Sequence, residues 1–292
     1  MTTRDIKRRI KSISNIRQIT RAMQMVSTSK MRRSQKKSKD ADAYAQGALE
    51  ILENITRISA VHESPFWHYQ KSNAVGFILI TTDRGFCGGL NISLLTKVMG
   101  HIKSVKENGK NPHFVTVGKK GRDFIKKIGC TIIADFSGLN DYFTLHDISP
   151  ITHIATHDFT EGKFERIFLC YNEFVNTLTQ KPTVRELLPL SIAEFKTITE
   201  MQSAAPSAAK PQYLFEPDAE VVFESLIPYL IEIEVYKAIL EGRASEHSAR
   251  MVAMKNATEK AYEVIGDLTF TYNQVRQAGI TKEIAEISSG SL

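Results

Sequence analysis

The chain reads as an α/β domain carried on a long antiparallel coiled coil made by its own N- and C-terminal helices. Three observations predict this. Apolar residues recur at steps of three and four through both ends of the 292-residue sequence. No proline occurs before Pro65, and the first glycine is Gly47. Only in the middle does the period fall to two or give way to short apolar runs, as strands require.

The first segment places Ile6, Ile10 and Ile13, then Ile16, Ile19, Met23 and Val26, at helical spacing. After a basic interval the spacing resumes at Ala41, Ala45, Ala48, Leu52 and Ile55. A helix from Thr2 to Ser59 would be about 85 Å long, so it needs a partner along its length. The other end supplies one. There Ile231, Val235, Ala238, Gly242, Ser245, Ala249 and Val252 follow at steps of four and three. Ala261, Val264, Leu268, Thr271 and Val275 come next, and Ile280, Ile284 and Ile287 close the series. A period near 3.5 residues is the pattern of a left-handed coiled coil. The small residues Ala238, Gly242, Ser245 and Ala249 predict close approach of the two helices. Pro217-Asp218 reads as a helix start, and Pro228 is expected to kink the first turns.

Between the ends, strands are expected at Ala74–Thr81, His113–Val117, Thr131–Ala134, Ile167–Tyr171 and, at an edge, Thr183–Leu190. Helices are expected at Leu90–Lys106, Arg122–Ile128 and Ile148–Thr156. Strands alternating with helices imply a mostly parallel sheet, so the insert is a small Rossmann-like α/β domain. The Ala-, Ser- and Pro-rich stretch Met201–Lys210 reads as a linker. The divisions are a helix over 1–60, the α/β foot over 61–200, the linker over 201–217 and the second helix over 218–292. No internal repeat is evident.

Composition bounds the function. No run approaches the ~18 apolar residues of a membrane span. The start, Arg4 to Arg9, is followed by polar residues rather than an apolar core, and helical pattern begins almost at Met1, so it reads as mature protein. Residues 1–39 carry thirteen Lys/Arg against Asp5 alone, a balance of +12, and the remaining chain sums to −6. Cys87, Cys130 and Cys170 form no CxxC pair and suit reduced thiols better than a disulfide framework or a zinc site.

The local motifs are weak ones for catalysis. Asp83-Arg84-Gly85-Phe86-Cys87-Gly88-Gly89-Leu90-Asn91 joins a strand to a helix, where phosphate loops occur, yet it matches neither GxGxxG nor GxxxxGK[ST]. A tight turn with positive φ is the better reading of its glycines. Cys87 reads as a structural cysteine. His153 and His157 stand four apart without an HExxH context, and His62-Glu63 runs into Ser64-Pro65, so surface histidines are expected rather than a zinc site. No GxSxG elbow occurs, and no cofactor is called for. The basic arm fits a solvated face, an acidic partner or nucleic acid, and no aromatic residue interleaves its charges.

Three long motifs narrow these choices. They are Ile16-Arg17-Gln18-Ile19-Thr20-Arg21-Ala22-Met23-Gln24-Met25-Val26-Ser27-Thr28-Ser29-Lys30-Met31-Arg32, the run Ala244 to Thr258, and Tyr272-Asn273-Gln274-Val275-Arg276-Gln277-Ala278-Gly279-Ile280-Thr281-Lys282-Glu283-Ile284. Together with the Asp83–Asn91 loop they resemble the gamma subunits of F-type ATP synthases. The resemblance is close over both helices and weaker between them. Phe86 stands for a more usual leucine, Gln24 for a common acid, and Pro228 is atypical.

The resemblance implies a non-catalytic rotor shaft that couples ion-driven c-ring rotation to ATP synthesis or hydrolysis at the beta subunits. The implied partners are the ring of alpha and beta subunits, the epsilon subunit and the membrane c-ring. No cofactor, nucleic acid or transmembrane segment is implied. The implied location is peripheral, on the cytoplasmic face of a bacterial inner membrane. Contacts to beta subunits are implied for Met23, Lys30, Arg32, Arg33, Arg250, Arg276, Gln277 and Thr281. Ile280, Ile284 and Ile287 would lie in an apolar sleeve at a single-helix tip. Two rivals remain: a basic coiled-coil nucleic-acid binder, and a small α/β enzyme with a ligand at Gly85–Gly89.

Overall fold

The computed structural model describes residues 2–58, 64–190, 216 and 218–290. Most of the expected linker, with Pro211 and Pro217, lies outside them, as do His62, Glu63 and the side chains of Ala45, Ala48, Leu52 and Ile55.

Helix α1 spans Thr3–Ile58 and α5 spans Ala219–Gly290. Between them run β1 (Ala74–Ile80), α2 (Leu90–Glu107), β2 (Asn111–Val117), α3 (Lys119–Lys127), β3 (Thr131–Asp135), α4 (Leu145–Thr160), β4 (Arg166–Phe174) and β5 (Gln180–Leu188). Every strand and helix expected in the middle is present, with shifted ends. Helix α4 starts earlier than expected, at Leu145, because the Thr144 N–H donates to Asp147 Oδ2 at 2.7 Å, capping a turn of weak apolar pattern. Asp218 begins α5 as expected, its Oδ1 accepting the Val221 N–H at 2.9 Å.

The sheet order is β3-β2-β1-β4-β5, with β5 antiparallel to β4 and the other pairs parallel. Helices on both faces explain the apolar run of β1. Val75, Phe77 and Leu79 pack with Leu94, Val98, Ile102 and Ile125 on the α2–α3 face. Ile78 and Ile80 pack with Ile148, Ile151 and Phe159 of α4 and with Phe223, Ile227 and Val235 of α5. The strand order reverses between β1 and β4, which makes their carboxyl ends the switch point of the sheet.

The long helices run antiparallel. The Thr20 and Thr258 hydroxyls meet at 2.7 Å, and the Arg17 guanidinium lies 5.9 Å from the centre of the Tyr262 ring. As one number rises, the other falls. The apolar series of α1 does not follow this seam throughout. Ile6 is buried, but Ile16, Ile19 and Val26 are 50%, 59% and 55% exposed, while Thr20, Ser27 and Met31 are buried in their place. The outward apolar residues face away from the chain's own partner helix, so helical spacing alone assigned them to the wrong surface. On α5, Ala261 is buried and Val264, Leu268 and Val275 are half-buried, on the predicted stripe, whereas Thr271 is exposed.

The small residues of α5 serve a different neighbour from the one expected. A Cβ on Gly242 would lie 3.2 Å from Ile80 Cγ2, and the Ser245 hydroxyl donates to the Asn172 carbonyl at 2.9 Å. They admit the end of the sheet rather than α1. Pro228 does not end α5, which is helical on both sides of it; buried Ile227, Leu230 and Ile231 hold the turn that loses a hydrogen bond. Among the described residues no helix is long and apolar enough to cross a membrane.

Gly118 carries a test of the β2–α3 joint. Its φ is +100°, and a Cβ there would lie 2.2 Å from the Thr81 carbonyl oxygen. Gly118→Ala is expected to cost about 3 kcal/mol or more in denaturant unfolding, by strain and displacement. Gly100→Ala, within α2 and with nothing within 4 Å of the new methyl, should gain about 0.5–1 kcal/mol.

Candidate functional site

In open α/β sheets ligands bind outside the carboxyl ends of the strands, at the switch point. Here that crevice is lined by Ile80, Thr81, Thr82 and Asn172, and α5 fills it with Ile239, Gly242, Arg243 and Glu246. The remaining cavity is about 10 Å³, room for one water at most.

The adjoining loop is built for shape. Positive φ falls on Phe86 (63°) and Gly88 (59°), so only part of the turn rests on glycine. The Asn91 Nδ2 donates to Thr82 Oγ1 at 2.8 Å, and Thr82 Oγ1 donates to the Arg84 carbonyl at 2.7 Å, closing the loop on itself. Asp83 Oδ1 accepts the Lys119 N–H and the Gly138 N–H at 3.1 Å each. It therefore takes the start of α3, where an anion would otherwise sit. Cys87 is buried and burial pushes its thiol pKa up, against the opposing charge of Arg250, as suits a structural cysteine. Phe86 projects outward, 73% exposed.

An ion-paired network ties α5 to this loop. Glu246, buried, accepts from Arg250 Nη2 at 2.6 Å through Oε1 and from Arg243 Nη1 at 3.2 Å through Oε2. Arg250 also donates to the Gly85 carbonyl at 3.2 Å, and Arg243 to the Leu139 carbonyl at 2.8 Å. His247 lies 3.9 Å from Asp141 Oδ1 and 3.4 Å from Arg250 Nη1. Burial pushes its pKa down to about 4, outweighing the attraction of Glu246 and Asp141.

The residues implicated by resemblance do not form one cluster. Arg250 lies in the buried network. Lys30 Nζ pairs with Asp141 Oδ2 of the foot at 2.6 Å, and Arg33 stacks 4.9 Å from the Tyr142 ring centre. Arg32 is exposed and Met23 half-buried farther along α1. Arg276, Gln277 and Thr281 are exposed at the end of α5, where every residue from 276 to 289 is exposed. Ile280, Ile284 and Ile287 are exposed there too.

The linking groups Asp83, Asp141, Glu246 and His247 were missed. Arg243, Glu246 and Arg250 at spacings of three and four were a visible signal. Asp141 offered none. His153 and His157 are exposed, as expected of surface histidines, with rings stacked at 5.4 Å. The nearby Asp158 and Glu161 are paired with Lys163 at 2.8 and 2.7 Å.

Two long helices holding an α/β foot, with the strand-end crevice filled by one of them, define a shaft-bearing subunit. A family model described as ATP synthase matches residues 2–291. The ATP synthase gamma chain of Stenotrophomonas maltophilia (strain R551-3) is 40% identical over 289 residues, covering 99% of this chain and 98% of the relative. That of Xanthomonas campestris pv. campestris (strain B100) is likewise 40% identical over 289 residues, with coverage of 99% and 98%. The chain belongs to the ATP synthase gamma family, and as a gamma chain it is a rotor subunit rather than a catalytic one.

Solved structures share the fold. A chain in the rotor of the Euglena gracilis mitochondrial ATP synthase aligns with a TM-score of 0.64 at 21% identity, over 95% of this chain and 98% of its own. One from the central stalk and c-ring of the Tetrahymena thermophila mitochondrial enzyme aligns with a TM-score of 0.57 at 23% identity, over 82% and 99%.

His247 makes the junction pH-sensitive. Its pKa is 6.5 when unfolded and about 4 when folded. Between those values the unfolded chain binds more protons, so stability rises with pH there and is lost as pH falls from 6.5 to about 4. The loss should reach on the order of 3 kcal/mol in unfolding titrations, and His247→Gln should remove that part of the slope.

Proposed function

We propose that this chain is the central shaft of an F-type ATP synthase, turning with a c-ring and driving the beta subunits through their conformational cycle. The match of residues 2–291 to the family, carried on a stiff two-helix rod, is the observation that carries this reading. A shaft contributes by shifting the relative energies of its neighbours' states, so it needs no reactive group. The foot of residues 61–200 would bind the epsilon subunit and the c-ring, with residues 201–217 leading back to the shaft. The alpha and beta subunits would surround the helices of 1–60 and 218–292. The location is the cytoplasmic face of a bacterial inner membrane, reached through the complex.

The helix pair is read as a left-handed coiled coil. This is supported by buried Ile6, Thr20 and Ser27, spaced by multiples of seven. Met23, Arg32, Arg33, Arg276, Gln277 and Thr281 are the proposed beta-subunit contacts, joined by Lys30 and Arg250, whose charges are already paired within the chain. The outward Ile16, Ile19 and Val26 and the terminal Ile280, Ile284 and Ile287 suit an apolar sleeve, a contact of low directionality that permits turning.

The test is reconstitution into ion-tight vesicles with and without the chain. ATP-driven pumping is expected only with it, and a fully coupled complex lacking it would sink the proposal. Arg32→Glu with Arg33→Glu should alter turnover or pumping by about twofold or more at low ionic strength, with the difference shrinking as salt screens it. Arg32→Glu alone separates the partner contact from loss of the Arg33–Tyr142 stack, itself about 0.5–1 kcal/mol at an exposed site. Unchanged rates at low salt would remove both arginines from the contact surface.

A further inference from the structure

One short loop, Leu139 to Phe143, is held by both shaft helices. From α1, Lys30 pairs with Asp141 at 2.6 Å, Arg33 stacks on Tyr142, and Lys37 Nζ donates to the Phe143 carbonyl at 3.3 Å. These residues are three and four apart, so one face of α1 meets one loop. From α5, Arg243 donates to the Leu139 carbonyl, His247 faces Asp141, and Tyr236 meets Phe143 edge-on at 5.3 Å. The loop is in turn fastened to the foot, where the Gly138 N–H donates to Asp83. Asp141 carries the charge in this loop and faces titratable groups of both helices, Lys30 on one side and His247 on the other.

Among the described residues the two helices are otherwise tied to the foot unequally. Helix α5 is keyed into the sheet by Gly242 against Ile80 and by the Ser245 and Ser248 hydroxyls on the Asn172 and Thr177 carbonyls. Among the described residues, the ion pair, hydrogen bonds and ring contacts from α1 to the foot come from Lys30, Arg33 and Lys37, all to this loop. A two-helix rod resists twist only when both helices are fixed at its base. If one is free, turning the foot drives the other past it, and the twist is lost as sliding along the seam. That seam is lined in part by threonine and serine, whose small polar contacts resist sliding weakly.

We propose that Asp141 is a positioning residue for torque transfer, locking the Leu139–Phe143 loop as a clamp between foot, α1 and α5 so that rotation reaches both helices together. The clamp rests on the central-shaft reading. It gives Lys30 a role within the rotor, whether or not its ammonium also meets the surrounding ring. Burial pushes Asp141 up, but the Lys30 hydrogen bond and charge, with His247 and Arg243, hold it below its usual carboxylate range, so this carboxylate is charged at neutral pH.

The experiment uses the complete complex in vesicles, measuring ions pumped per ATP hydrolysed. Asp141→Asn keeps the shape and removes the charge. It is expected to lower the ratio about twofold or more while hydrolysis continues. Asp141→Glu, which keeps the charge, is expected to hold the ratio near that of the wild type, a rescue that a purely local stabilising role would not require. An assembled Asp141→Asn complex with the wild-type ratio overturns the clamp, as does an Asp141→Glu complex whose ratio falls about twofold or more. If Asp141→Asn fails to assemble, Asp141→Glu alone decides. A wild-type chain that restores no pumping would overturn the shaft reading itself, a result distinct from either of these.

Discussion

The carboxylate of Glu246, buried between the guanidinium groups of Arg243 and Arg250, is the interaction on which the junction depends. Burying such charges costs several kcal/mol per ion unless each finds partners, and here the partners are spread across three segments. Arg250 reaches the Gly85 carbonyl and Arg243 the Leu139 carbonyl, so the charges that satisfy Glu246 also hold two loops of the foot against α5. Removing the carboxylate would leave two largely buried cations, with Asp83 at 3.6 Å from Arg243 as an ion-pair partner for one of them. The fold keeps this arrangement where an apolar contact could have served. An ionic joint has one geometry, whereas an apolar face can slip.

That joint also explains why the foot carries the outline of a ligand-binding fold while its switch-point crevice is filled. The switch point between β1 and β4 is the place where such sheets bind small molecules. In this chain the helix turn from Ile239 to Glu246 occupies it, and the small size of Gly242 permits the approach. The crevice anchors the shaft.

The shaft mixes polar and apolar residues on both of its surfaces. Thr20 and Ser27 are buried beside Ile6 and Met31, while Ile16, Ile19 and Val26 face outward. In a free-standing helical pair this would be a poor arrangement, because apolar surface left in water contributes nothing to folding. The apolar pattern of α1 is divided between the face on its own partner helix and an outward face.

Much of this was legible in the residues alone. The proline-free start and the four-and-three spacing determined two long helices, and the change of period determined the α/β insert, because periodicity reports which side of an element is apolar. The long motifs at Ile16–Arg32, Ala244–Thr258 and Tyr272–Ile284 determined the family. What periodicity could not report is which neighbour an apolar side meets. Only the tertiary structure turned Ile16, Ile19 and Val26 outward, set Gly242 and Ser245 against the sheet instead of α1, and brought Asp141 between Lys30 and His247. Those contacts join residues 73 or more positions apart, and burial and charge pairing at that range depend on how the elements pack, a property of no local pattern.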